Sequence, residues 1–210
     1  METMPFDVPP IPGRGALADE TLDQLFVKAR TFNSFLDKDV PDDLVRKLYD
    51  IARWGPTSAN MSPGRFLFLK SCEARERIKP FMFHTNQEKV MGAPLCVIVA
   101  RDPAYLDYLP QLMPTVHELI RPSFEAIPGA VPQTLTRNAT LQGAYLTLAA
   151  RALGLDCAPM SGFDNAAVDR EFFAENGWQS DYVINIGYGD DSTIWPRNPR
   201  LEFDVACQIL

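Results

Sequence analysis

The side chains with the most chemical potential cluster in a few short stretches. Trp54 to Phe66 reads W-G-P-T-S-A-N-M-S-P-G-R-F. Pro56, Pro63, Gly55 and Gly64 fix an irregular backbone there, which leaves Thr57, Ser58, Asn60 and Ser62 little freedom. Such a set suits a planar polar ligand with matched donors and acceptors; an ordinary helix-to-strand connection with capping hydroxyls has the same composition. A second group, Arg30, Thr31 and Asn33, puts a cation and two hydrogen-bonding side chains on a segment leaving a helix. It suits a phosphate or a sugar chain, and equally a surface helix end. Arg197 and Arg200 lie among prolines near the end of the chain. Arg121, in a proline-broken stretch, and Arg137, at a helix start, are the remaining cations of interest, against a background expectation of surface salt bridges.

Several classes of function are disfavoured. The net charge is −7 and no Lys/Arg-rich run occurs, which argues against nucleic acid and anionic membrane surfaces as partners. The four cysteines form no C-x-x-C pair, and Cys96 and Cys157 sit in apolar contexts expected of reduced core thiols in a cytosolic protein. Only His84 and His117 are available to a histidine-based zinc site, so no metal is expected. No G-x-S-x-G or G-x-G-x-x-G occurs, no export signal is visible at Met1-Glu2-Thr3, and no apolar run approaches membrane-spanning length. A cytoplasmic location is expected.

The elements that must position these groups follow from periodicity. Residues 1–16 carry four prolines and two glycines and read as a flexible arm, with one domain over 17–210. A helix is expected from an N-cap at Asp19, with Leu22, Leu25, Phe26 and Ala29 on one face. Pro41 opens another, with Leu44, Val45, Leu48, Ile51 and Ala52 as its stripe. A strand over Phe66–Leu69, a charged helix over Cys72–Lys79 and a linker lead to Leu95–Ala100, an apolar run suited to a sheet covered on both faces. Pro103 to Pro132 holds six prolines and reads as a lid or a surface insertion. Thr136–Leu153 is a helix apolar on most sides, capped by Gly154, with Arg137, Asn138 and Gln142 as polar exceptions that either solvate its start or face a ligand. One way to bury such a helix is against its twin in a dimer. Strands are expected over Leu155–Ala158 and Tyr182–Ile186, with a helix over Asn165–Ala174 between them. The fold class is α+β.

The central loop, the turn P-M-S-G-F-D, the strand end I-N-I-G-Y-G and the closing arginines occur in an order that resembles the nitroreductase family of FMN-dependent oxidoreductases, over roughly Leu22 to Val205. The resemblance implies a mixed central sheet flanked by helices and an intertwined homodimer with FMN at its interface. W-G-P-T-S-A-N-M-S-P, R-A-L-G-L-D, P-M-S-G-F-D and I-N-I-G-Y-G-D further resemble the malonic semialdehyde reductase branch that serves pyrimidine breakdown. By that resemblance Arg30 contacts the FMN phosphate, with Thr31 and Asn33 near the ribityl or pyrimidine side. Ala29 and Asn33 replace the family's usual basic residues, so phosphate binding leans on Arg30 and Arg200, with Arg197 as helper. Asn60 reads the pyrimidine edge, with Thr57 and Ser58 nearby, and Ser62 stands where the family often has a glutamine. Ser161 and Gly162 bring a backbone N–H to the reactive ring nitrogen. Arg137 or Arg121 would hold a substrate carboxylate.

The reaction implied is ping-pong: NADH or NADPH reduces FMN, and malonic semialdehyde then takes the hydride to give 3-hydroxypropionate. A general NAD(P)H reductase of nitroaromatics or quinones is the alternative, a non-catalytic flavin-binding protein a further one, and a zinc or serine hydrolase a distant third.

Overall fold

A buried strand with helices on both its faces organises the chain. In the computed structural model, which describes Gly13 and residues 15–210, the arm expected over 1–16 lies mostly outside the described residues. Helix α1 (Asp19–Leu22) starts at Ala18 rather than at an Asp19 cap, and continues over Asp23–Val27 as one wide i→i+5 turn. Helix α2 (Asp42–Ala52) follows Pro41 and buries Leu48 and Ala52. Strand β1 (Gly64–Leu69) and helix α3 (Cys72–Ile78), capped by the Ser71 hydroxyl at 3.0 Å from the Ala74 N–H, come next. The expected linker contains helix α4 (Asn86–Gly92), too short to show a stripe. Strand β2 (Leu95–Arg101) precedes two short helices, α5 (Leu109–Leu112) and α6 (His117–Glu125).

Helix α7 (Ala130–Ala152) begins six residues before the expected Thr136. Pro132 falls in its first turn, where a missing N–H costs no intrahelical bond, so the proline does not break the helix. Gly154, at φ +75°, ends it as expected. Strand β3 (Asp156–Met160), helix α8 (Asn165–Phe172), strand β4 (Gln179–Gly187) and a short terminal helix α9 (Phe203–Ala206) complete the chain.

The strand order is β1-β2-β4-β3, and every neighbouring pair is antiparallel. The one parallel pairing among the described residues is an isolated bridge from Thr31 to Cys157, on the outer edge of β3. Strand β2 alternates between two cores, as the two-residue period requires. Leu95, Val97 and Val99 meet Leu48, Leu146 and Ala150 from α2 and α7, while Cys96, Ile98 and Ala100 meet Ile78, Val90 and Val168 from α3, α4 and α8. Both faces are covered although the sheet is antiparallel. Burial pushes the thiols of Cys96 and Cys157 up to about 12, which keeps them protonated and unreactive.

Strand β3 is an edge. The Cys157 carbonyl points outward and accepts from the Phe32 N–H at 3.4 Å, so two residues further on Pro159 also faces outward. Its missing N–H removes no ladder bond there.

Helix α7 is not covered all round by the described residues. Leu141, Ala144 and Tyr145 lie exposed, with Leu148 half-buried, at spacings that place them on one stripe. The closing segment carries Leu201, Phe203, Val205, Ile209 and Leu210, all exposed.

Candidate functional site

Alternation sets the first group. Phe32 is buried, which turns Thr31 and Asn33 outward. Beside them the chain crosses itself in a reciprocal clasp: Arg30 Nη2 donates to the Trp195 carbonyl at 2.5 Å, and Arg197 Nη2 to the Ala29 carbonyl at 3.0 Å. Arg30, Thr31, Asn33, Arg197 and Arg200, expected to act together from distant segments, line one cleft of about 600 Å³. Arg151 from the end of α7 lines it too, and sequence reasoning missed it. Among the described residues none of these four arginines is in an ion pair, and no Asp or Glu lines the cleft. In a chain of charge −7 this is a concentrated cationic site, suited to a phosphate gripped by guanidinium forks. Asn33 continues into an adjoining cleft of about 350 Å³ with Thr85 and Lys89.

The turn after β3 is anchored by buried Phe163, which leaves Ser161 exposed at the rim of a cleft shared with Thr140, Asp181 and Tyr182. The Gly162 carbonyl accepts from the Phe83 N–H at 2.9 Å and from Asn86 Nδ2 at 3.2 Å. A Cβ on Gly162 would stand 2.7 Å from Asn86 Nδ2, so a larger residue there displaces the Asn86 side chain and its bond to the Gly162 carbonyl. Thr31 flanks Cys157 near one end of β3, and Ser161 follows its other end. The separation is roughly 13 Å at the rise of an extended strand.

The central loop sits elsewhere. Thr57, Ser58, Asn60 and Ser62 precede β1, the opposite edge of the sheet, so about three strand spacings, roughly 14 Å, separate them from the edge at β3. Ala59, Asn60 and Ser62 are left-handed, at φ 44°, 50° and 42°, and fully buried Met61 is the peg between them. Such strain, about 1 kcal/mol per residue, persists only where the surroundings impose it. The imposing groups are two of the three polar exceptions of α7, Asn138 and Gln142. Asn138 Oδ1 accepts from the Ser58 N–H at 2.8 Å, and Gln142 Oε1 from the Gly64 N–H at 2.7 Å. Both side chains are buried and hold the loop rather than solvate the helix, and Gln142 also lines a cleft of about 520 Å³ with Ser62 and Arg65. Thr57 Oγ1 accepts from the Ser62 N–H, while Asn60 Nδ2 donates to the Leu112 carbonyl. Their periodicity in sequence shows polar residues on a buried face, but not what they hold.

Asn138→Ala is expected to leave the Ser58 N–H without its acceptor and to lower stability by about 1–3 kcal/mol, and Asn138→Asp to lose at least as much, because it keeps that acceptor but buries a carboxylate against the Thr134 carbonyl to which Asn138 Nδ2 donates at 2.7 Å. Chemical denaturation of the two variants measures both losses.

The two candidate anchors differ. Arg121 is held by Asp107 at 2.7 Å and Glu125 at 3.0 Å on exposed α6, as a surface salt-bridge network. Arg137 makes no ion pair among the described residues and is exposed one turn before Thr140.

The sequence model of the nitroreductase family matches residues 27–188, which contain the loop, the turn and β4. The chain belongs to the nitroreductase family. Within this family it is 52% identical over 194 residues to a Rhodopseudomonas palustris protein provisionally named NADH dehydrogenase/NAD(P)H nitroreductase, covering 92% of this chain and 98% of that one. A Burkholderia lata protein of the same provisional name is 50% identical over 193 residues, with the same coverage. Among solved structures, a provisionally assigned nitroreductase from Exiguobacterium sibiricum, in complex with FMN, superposes with a TM-score of 0.81 at 20% identity, over 93% of this chain and 98% of that one. The nitroreductase fold expected from the motifs is the fold observed.

Proposed function

We propose that this nitroreductase-family chain is an FMN-dependent NAD(P)H oxidoreductase that works as a homodimer and reduces malonic semialdehyde to 3-hydroxypropionate in pyrimidine breakdown. The observation that carries the cofactor assignment is the layout along β3. An anion cleft lined by four arginines lies near one end, and the turn that carries Ser161 and Gly162 follows the other. An extended molecule with a phosphate at one end and a planar ring at the other matches that layout. The FMN bound to the Exiguobacterium sibiricum protein and the NADH and NAD(P)H in the relatives' names support the same reading.

FMN, when bound, supplies a ring that accepts hydride from NAD(P)H and passes it to an acceptor. The chain's residues do the rest. Arg30 and Arg200 grip the phosphate, Arg197 assists, and Thr31 and Asn33 face the sugar chain. Ser161 and Gly162 hold backbone dipoles at the ring's reactive edge, where negative charge develops. Thr57, Ser58, Asn60 and Ser62 belong to the opposite sheet edge, so in this reading they serve the ring held by a second copy. The exposed stripe of α7 and the apolar closing segment are the surfaces that copy covers.

Arg137 is the proposed anchor of the substrate carboxylate, because it is uncommitted and lies one turn from the cleft at Ser161, whereas two carboxylates already occupy Arg121. Arg137→Ala is expected to raise the KM for the aldehyde about tenfold or more, the loss of one charged hydrogen-bonding partner, with FMN still bound. An unchanged KM removes Arg137 from that role.

The test of the activity is anaerobic. One equivalent of NADH or NADPH bleaches the visible flavin band of the purified protein, and malonic semialdehyde restores it quickly. Recovery with a nitroaromatic or a quinone alone instead assigns the general reductase activity that the relatives' names favour. Bound FMN that neither nucleotide bleaches marks a non-catalytic flavin protein.

A further inference from the structure

Arg151 belongs to none of the segments whose roles are assigned above. It stands in the last turn of α7, where a cation is favoured by the helix dipole, and its side chain is half-buried at the inner wall of the arginine cleft. Its backbone is fixed by Gln24, whose Nε2 donates to the Arg151 carbonyl at 2.6 Å. Its Nη1 donates to the Leu25 carbonyl at 2.9 Å, and its Nε is buried with no acceptor among the described residues. A guanidinium so placed has one neutral acceptor and no ion-pair partner among the described residues.

The acid whose field it feels is Asp156. That carboxylate already accepts the Gly189 N–H at 2.9 Å, and burial pushes its pKa up, a rise that Arg151 and the Gly189 hydrogen bond oppose. Asp156 forms no ion pair with Arg151. The charge, offset only by the field of Asp156, faces a cleft with three other arginines, and four like charges gathered in one place repel unless an anion joins them.

We propose that Arg151 is a phosphate-binding residue: it neutralises the second charge of the phosphate monoester dianion that Arg30 and Arg200 grip, and so sets the preference for FMN over the unphosphorylated flavin. The proposal rests on the FMN reading above. Through its bond to Leu25, Arg151 also joins the anion to the wide turn at Asp23–Val27, so that a filled cleft ties the N-terminal helix to α7.

The test uses flavin-free dimeric protein titrated with FMN and, separately, with riboflavin, followed by the quenching of flavin fluorescence. Arg151→Gln retains a donor for the Leu25 carbonyl but carries no charge. It is expected to weaken FMN binding about 10- to 100-fold and to leave riboflavin binding within about twofold. Arg151→Lys, which keeps the charge without the fork, falls between. Wild-type FMN binding is also expected to fall in the presence of inorganic phosphate, and Arg151→Gln to be less sensitive to it. An equal loss for both flavins assigns Arg151 a purely structural role and overturns the proposal, as does no loss for either. Wild-type protein that binds neither flavin overturns the FMN reading itself, an outcome distinct from both. Should Arg151→Gln not fold, the same two-ligand comparison with Arg151→Lys decides between these outcomes.

Discussion

A protein carrying glutamate at both Leu141 and Ala144 is expected to elute as a single chain and to lose its flavin during purification. The two positions lie on the exposed stripe of α7, and neither carries a hydrogen bond or an ion pair within the chain. Within one chain the substitutions place two carboxylates in water, so the isolated fold retains its helices. In a dimer packed along α7 the same carboxylates become buried and unpaired, which costs several kcal/mol per site. Dimer dissociation then strengthens by about a thousandfold or more. Because each cofactor site draws on the loops of both copies in the proposed assembly, separation also removes FMN. Size-exclusion chromatography with light scattering, read with the visible spectrum, checks both effects. A doubly substituted protein that stays dimeric and yellow would place the seam elsewhere. Tyr145 is left untouched because its ring fills the space beside Gly55, where a Cβ would stand 2.5 Å from Tyr145 Cγ.

Gly143→Val is expected to lower the melting temperature more than any substitution in the cofactor cleft. Gly143 faces the sheet from the middle of α7, and a Cβ there would collide with the Tyr182 ring and hydroxyl and reach Val99 Cγ1 at 3.0 Å. Tyr182 cannot swing aside cheaply, because it packs against the same core as Val99, and burial pushes its phenol up to about 12. The helix must lift off β2 and β4 or the tyrosine must leave its rotamer. Overpacking of this kind costs about 3 kcal/mol, or a fall of about 6–12 °C for a chain of this size. Differential scanning calorimetry on the flavin-free protein measures it without the contribution of bound cofactor. A fall below about 2 °C would mean that α7 floats on the sheet rather than presses on it.

What the sequence disclosed follows from what each signal physically is. Strand β2 was legible because six buried residues in a row fit a strand covered on both faces, and such cover does not depend on whether neighbours run parallel. The C-terminal end of α7 was legible because Gly154 takes a left-handed conformation that stops a helix. Its N-terminal end was not, since Pro132 is a breaker in a helix interior but harmless in a first turn. The α4 helix was hidden in an expected linker because seven residues with only Val90 buried carry no readable period. For the site, Arg30, Arg197 and Arg200 could be grouped by family order, and the structure gathers them into one cleft. Arg151 could not be grouped, because it looks like the polar end of an otherwise apolar helix. Asn138 and Gln142 show the opposite failure: their polarity was visible, but the Ser58 and Gly64 amides they serve lie about 80 residues away in sequence.

Pro159 bears on how far assembly can go. Strand β3 is a free margin of the sheet, and a margin with a full row of outward amides invites another chain to add a strand, then a third. The bridge at Thr31 occupies one outward position, and Pro159 presents no donor at the next. Annealing along this border is thereby interrupted within five residues. Association through this border is disfavoured, whereas the exposed helical stripes can pair once and close by two-fold symmetry. Crowding and overexpression should therefore yield discrete particles rather than cross-β fibres seeded at this border.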